Sequence, residues 1–233
     1  MNQGLTEGLF PDGSQVLPMT YKQKSYQLIK DAILYRRFQT GIIYSQDELC
    51  AQLGISRTPV REALLELQKE GYVSILRGRG IEIVPITRKQ AKDIIEMRRI
   101  IELAGSELAA ERATPLHVSR LYASLETMKQ KISFNDDRLL YQHDRKFHNQ
   151  IFEASGNSKL LETMEDLRDL FLRIETLKAF QREEGRLEIV NEHWKVYEAI
   201  ANHDPGLARR SMLEHLDQTY ARTVWPVLDM LPE

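Results

Sequence analysis

"ISRTPVREAL", residues 55–64, sets two arginines four positions apart, beside a Thr-Pro, at the head of an apolar run. Placed on a helix at about 100° per residue, Val60, Ala63, Leu64 and Leu67 share one face. Arg57 and Arg61 lie about 40° apart on the adjoining flank, with Gln68 between them and Thr58 further round. Pro59 fits because the first turn of a helix has no internal acceptor for its missing N–H. Such a helix must pack its apolar face on neighbours while its N-terminal turn presents two guanidinium groups and a hydroxyl. That turn carries partial positive charge suited to phosphate. Arginine can also bond guanine O6 and N7 together in a major groove wide enough for a helix.

Working outward, "SQDELCAQLG" (45–54) reads as a short helix capped by Ser45, acidic in its first turn and stopped by Gly54. The helix carrying Arg57 runs to about Glu70 and ends at Gly71. Upstream, the spacing predicts a helix over 21–38 with Tyr26, Ile29, Ile33 and Leu34 as its buried stripe, followed by a turn at Gly41. Downstream, "YVSIL", "RGRG" and "IEIVP" read as strand, glycine turn and strand, closed by Pro85. Arg77 and Arg79 sit on the hairpin tip, within reach of a neighbouring backbone or minor groove. Together these elements outline a winged helix-turn-helix. From geometry alone it suits DNA reading or protein contact alike, because both uses share the fold.

At 233 residues, 42% hydrophobic and 28% charged, the chain has the make-up of an ordinary globular protein of one large or two modest domains. No apolar run approaches the roughly 20 residues that span a bilayer. The start, "MNQGLTEGLFPDGSQVLP", lacks the basic head and apolar stretch of a secretory signal, so the expected location is cytoplasmic and no membrane partner is expected. Residues 1–20 are expected to form a flexible arm. The single cysteine, Cys50, excludes an internal disulfide and reads as a small buried residue. Net charge is −2, yet residues 20–86 carry ten Lys/Arg against seven Asp/Glu. A slightly basic front on an acidic body suits localised contact with a polyanion.

From Thr87 to the end no strand pattern occurs. Thr87 and Thr114-Pro115 look like helix caps, Asn135 could start a third helix, "SGNS" (155–158) precedes a fourth ending near Phe180, and "QREEG" and "NHDPG" precede the last two. Six helices with short breaks imply an antiparallel bundle. The fold class is therefore mainly α, with a winged helix-turn-helix over 21–86 and an all-helical domain over 87–233. Polar side chains stand in the bundle's apolar stripes: Arg98 beside Ile94 and Ile101, Asp144 and His148 beside Leu140 and Phe147, His193 beside Ile189 and Val190, and His215 beside Met212 and Leu216. Arg99 is read on the other side, with Glu102 and Ser106. Three imidazoles and a carboxylate converging on the axis would be satisfied together by a divalent transition metal. Four unrelated core residues, each with its own hydrogen bond, would give the same pattern, and spacing does not decide between the two.

The stretch "ELCAQLGISRTPVREALLELQKEGYV" with "RGRGIEIVPI" resembles the DNA-binding domain of GntR-family bacterial transcription regulators over about residues 21–86. This resemblance implies DNA contact by Arg57, Thr58 and Arg61, with Gly80 allowing close approach at the wing tip. Asp47 stands where some members carry a basic residue, and "RRFQTG" lacks the proline usual before its glycine. "IEMRRIIELAGSELAAERA", "DRKFHNQIFEASGN", "EHWKVYEAIANHD" and "ARRSMLEHL" resemble the FCD ligand-binding domain of the FadR-type branch over about 88–225. Many such domains bind zinc or nickel through an Asp and three His, which match Asp144, His148, His193 and His215. Open coordination positions beside Arg98 would attract a small carboxylate effector.

The expectation is a homodimeric transcription regulator, a repressor, bound to an inverted-repeat operator in double-stranded DNA and controlled by a small organic acid. Two other readings are a metal-dependent enzyme fused to a winged helix and a winged-helix module for protein contact. An enzyme is not expected, because no general base stands out near the four ligands.

Overall fold

The computed structural model describes residues 19–133, 137–174 and 183–233, and the chain parts into two compact units between Ile86 and Thr87. The expected arm over 1–20 lies outside the described residues but for its last two, as do Asn135 and Phe180.

In the first unit α1 (Tyr21–Leu34) opens with a capping box, Thr20 accepting from the Gln23 amide while the Gln23 side chain accepts from the Thr20 amide. Strand β1 (Ile43–Tyr44) leads into α2 (Gln46–Leu53), capped by Ser45 and closed by Gly54 in a left-handed conformation. Helix α3 (Arg57–Lys69) follows, then the hairpin of β2 (Val73–Leu76) and β3 (Gly80–Ile83). Strand β3 is central in the antiparallel order β1-β3-β2, with Ile43 opposite Glu82 and Leu76 opposite Gly80. Val60, Ala63, Leu64 and Leu67 are buried, so the face of α3 read from the sequence is the face that packs on α1, α2 and β2.

Three expectations are corrected here. Helix α1 stops at Leu34, not Phe38, because Arg36 turns the chain with φ +54°; Phe38 enters the core from the loop, its ring 4.7 Å from Tyr44 and edge-on. Strand β1 was not foreseen. Cys50 is half-buried rather than buried.

Gly80 has a reason inside the domain. Its φ is +132°, and a β-carbon there would overlap the carbonyl of Tyr44 across the β1–β3 pair.

The second unit comprises α4 (Arg88–Arg112), α5 (Pro115–Lys131), α6 (Asp137–Ala154), α7 (Ser158–Leu172), α8 (Glu183–Ala201), α9 (Pro205–Thr223) and a short α10 (Trp225–Leu228). Thr87 and Thr114 make capping boxes with Gln90 and His117, and Asn157 and Asp204 cap α7 and α9. Helix α4 packs against α6, α7, α8 and α9, and is the central post of the bundle. Where it meets α6, Gly105 lets the Phe152 ring press on its backbone. The face that α4 turns toward these neighbours is closed to solvent, so the polar side chains it carries there must find partners within the bundle.

Candidate metal centre and nucleic-acid interface

In the second unit four of the five residues singled out in apolar stripes come together from three helices. His148 on α6, His193 on α8 and His215 on α9 are buried, and one ring nitrogen of each lies within 4.8 Å of the others. Asp144, one turn before His148, brings Oδ1 to 3.4 Å from His193 Nε2 and 4.0 Å from His148 Nε2. The Nε2 atoms of all three imidazoles are buried without a hydrogen-bond partner among the described residues. Buried polar atoms are rarely left so, and three clustered orphans, two of them within 4.0 Å of a carboxylate, fit a shared cation. Burial, with repulsion from His215 and His148, holds the His193 pKa well below the ordinary value. Burial likewise lowers His215, although its bond to Glu192 opposes this. Neutral imidazole is the form that ligates metal.

Two of the rings are aimed by carboxylates that the sequence reading missed. Glu102 Oε2 stands 2.9 Å from His148 Nδ1, and Glu192 Oε2 stands 2.9 Å from His215 Nδ1. Each leaves its histidine's Nε2 for the centre, the arrangement that orients and strengthens imidazole ligands. Arg222 donates two bonds of 2.7 Å to Glu192. Burial alone would raise the Glu102 carboxyl, but His148, Arg98 and Arg168 outweigh it and hold the pKa far below the usual range. Glu192 is lowered in the same way, its bonds to His215 and Arg222 overcoming burial.

Arg98 is buried, its Nε 3.4 Å from Glu102 Oε1 and its guanidinium 4.0 Å above the Phe171 ring. Glu102 and Ser106 thus lie inward with Arg98, whereas Arg99 reaches outward to Asp217 at 2.9 Å. The helical wheel had placed Glu102 with Arg99. The two separations, about 40° from Arg98 and about 60° from Arg99, are too close for a wheel to choose. His117 belongs to a cap, and His203 Nδ1 lies 2.8 Å from the Ala110 carbonyl; neither reaches the centre.

In the first unit Arg57, Thr58, Arg61, Arg77 and Arg79 are all exposed. Arg61, Arg77, Arg79 and Gly80 border one groove of about 660 Å³ between α3 and the hairpin, along with Gln68 and Asp47. Arg57 and Thr58 stand outside this groove, at the first turn of α3. The Ser56 side chain makes no capping bond, so the first amides of α3 remain available to an outside acceptor. Arg57 Nη2 is 2.8 Å from Asp47 Oδ2. The acidic residue that departs from the basic pattern therefore holds a guanidinium at the helix tip. Such an exposed pair is worth about 0.2–1 kcal/mol and is readily exchanged for another anion.

Comparison with known proteins bears on both units. The family model for bacterial regulatory proteins, gntR family, matches residues 22–83, and the FCD domain model matches residues 93–218. An HTH-type transcriptional regulator of Bacillus subtilis (strain 168), YdhC, is 27% identical over 203 residues, covering 86% of this chain and 89% of that one. The Exu regulon transcriptional regulator of Escherichia coli (strain K12) is 27% identical over 226 residues, covering 87% and 86%. Among solved structures, E. coli McbR/YncC superposes with a TM-score of 0.72 at 22% identity, covering 91% of this chain and 98% of that one, which shows a shared fold. These families and relatives are transcription regulators rather than enzymes.

Proposed function

Because the chain belongs to the GntR family of bacterial transcription regulators and carries an FCD domain, we propose that a small carboxylate, bound at a metal held by Asp144, His148, His193 and His215, controls its grip on DNA. The observation that carries this reading is the cluster of three buried, unpartnered Nε2 atoms, with Asp144 beside those of His148 and His193. Three imidazoles and one carboxylate suit zinc or nickel and leave the ion a net positive charge. When bound, the ion supplies an electrophilic point for an anionic oxygen. Glu102 and Glu192 hold the ring orientations, and Arg98 offers a guanidinium to the acid's far end.

At the other end of the chain, Arg57, Thr58 and Arg61 are the groups proposed to meet base edges and phosphates, while Arg77 and Arg79 flank the duplex from the wing. Paired on a two-fold axis, two copies of α3 would meet the half-sites of an inverted repeat. Repression is the simplest mode: a dimer seated on an operator excludes other proteins, and an effector need only favour an arrangement that binds DNA less well. Among the described residues no helix is long and apolar enough to cross a membrane, and a DNA-bound regulator would work in the cytoplasm.

The test is a two-way titration. The protein is bound to operator fragments recovered from its own genome, and a panel of carboxylates is added to the zinc-loaded and chelator-treated forms. One acid should shift DNA affinity in the loaded form only. An uncharged effector, or an acid that acts equally without metal, would overturn the reading.

A further inference from the structure

A second buried arginine stands beside this centre with its charge only partly answered. Arg168, on α7, is 3% exposed. One terminal nitrogen, Nη1, donates to the Arg145 carbonyl at 3.3 Å and to Asn149 Oδ1, both neutral acceptors on α6. The other, Nη2, is buried and has no hydrogen-bond partner among the described residues. Its electrostatic neighbours include Glu102, Arg98 and Asp144, so it belongs to the same neighbourhood as the histidines. The carboxylates there are already engaged. Glu102 is shared by His148 and Arg98, and Asp144 faces His193. Tyr220, whose ring lies 5.7 Å from Phe171 under the Arg98 guanidinium, adds a hydroxyl that is also buried without a partner.

An isolated buried cation is costly, and a donor left open inside a protein is a place for a ligand atom. With a divalent ion present, Arg98, Arg168 and the ion bring four positive charges against two negative ones from Glu102 and Asp144. We infer that Arg168 is a second anion-gripping residue of the effector site and that the acid it serves is a dianion, with one carboxylate for the ion and another for the arginine pair. This rests on the carboxylate reading above and narrows it to a class.

Calorimetry on the full-length, zinc-loaded protein tests it with paired probes: succinate against butyrate, and malate against 3-hydroxybutyrate. The dicarboxylate should bind at least about tenfold tighter than its monocarboxylate partner, as two charge-assisted contacts replace one. Arg168→Gln should erase that preference while leaving monocarboxylate affinity within a few-fold of the parent. Should the glutamine variant fail to fold, Arg168→Lys carries the test, since it keeps the charge and should keep part of the preference. Equal affinity for both members of each pair, or a preference that survives Arg168→Gln, overturns the inference. Monocarboxylates that bind and release DNA while dicarboxylates do no better would leave the effector reading standing and remove this one. If no member of the panel binds the loaded protein, both fall.

Discussion

Glu102 Oε2 lies 2.9 Å from His148 Nδ1 at a point where both side chains are wholly buried. The carboxylate's other oxygen meets Arg98, so a single glutamate on the central helix links the guanidinium to an imidazole of the proposed metal centre. Removing its charge while keeping its shape should loosen the ligand set without emptying the core. Glu102→Gln is expected to weaken zinc binding by about 10–100-fold, the usual cost of losing such a support. Competition with a chelating dye measures it. Glu192→Gln should act in the same direction through His215, and a variant at the exposed Glu214 should not.

Zinc should also stabilise the fold, since the four proposed ligands meet only in the assembled site. At a free concentration a hundred times Kd the gain is about 2.7 kcal/mol. Thermal melts with and without chelator should separate accordingly for the parent and coincide for His193→Ala.

The metal-free protein should lose stability on mild acidification. His193 and His215 are both lowered from their ordinary value, mainly by burial. Folded, they resist a proton that the unfolded chain accepts from about pH 6.5 downward. Stability is thus fully present above that point and falls as pH drops toward the depressed folded values. The lowered Glu102 gives the same sign, but in a window below the ordinary carboxylate pKa of 4.5. Melts of chelated protein between pH 8 and pH 5 should show a falling midpoint, and a pH-independent one would contradict the burial of these rings.

Much of this architecture was written in local chemistry. Ser45, Gly54 and Gly71 punctuate α2 and α3, and Thr87, Thr114 and Asn157 start helices through their own side chains, so short windows reveal them. The polar residues of the centre stood out because each interrupts an apolar stripe. What stayed hidden depends on distant partners. The two-residue β1 exists only by pairing with β3, and the end of α1 turns on a left-handed Arg36 that no glycine announces. Glu102, Glu192 and Arg168 are charged residues among other charged residues on helices. Only the packing of α4, α6, α7, α8 and α9 turns them inward.

Arg57→Ala and Arg61→Ala should each cost about 1–3 kcal/mol of specific operator affinity. Both side chains are exposed, so neither change should move folding stability by more than about 0.5 kcal/mol. Fluorescence anisotropy at one fixed salt concentration checks it, because salt alone shifts such affinities widely. Asp47→Ala frees the guanidinium of Arg57 from its ion pair and should leave DNA affinity equal or slightly higher. Loss of affinity in Asp47→Ala would mean that the pair positions Arg57 for DNA instead of competing with it.

Gly105→Ala sets two effects of opposite sign against each other. Alanine is the better helix former by about 1 kcal/mol. Its methyl, however, would overlap the Phe152 ring, which is buried with Ile101 and Met164. Overpacking of this kind typically costs about 1–3 kcal/mol, and both α4 and α6 are pinned by other helices, so the ring has little room to retreat. The clash should win, giving a lower urea midpoint with an unchanged slope. Phe152→Leu shortens the opposing side chain and should recover part of the loss in the double variant, with a coupling above about 0.5 kcal/mol. Should Gly105→Ala prove as stable as the parent, or the two changes simply add, then α4 and α6 do not approach as closely at this point as the fold requires.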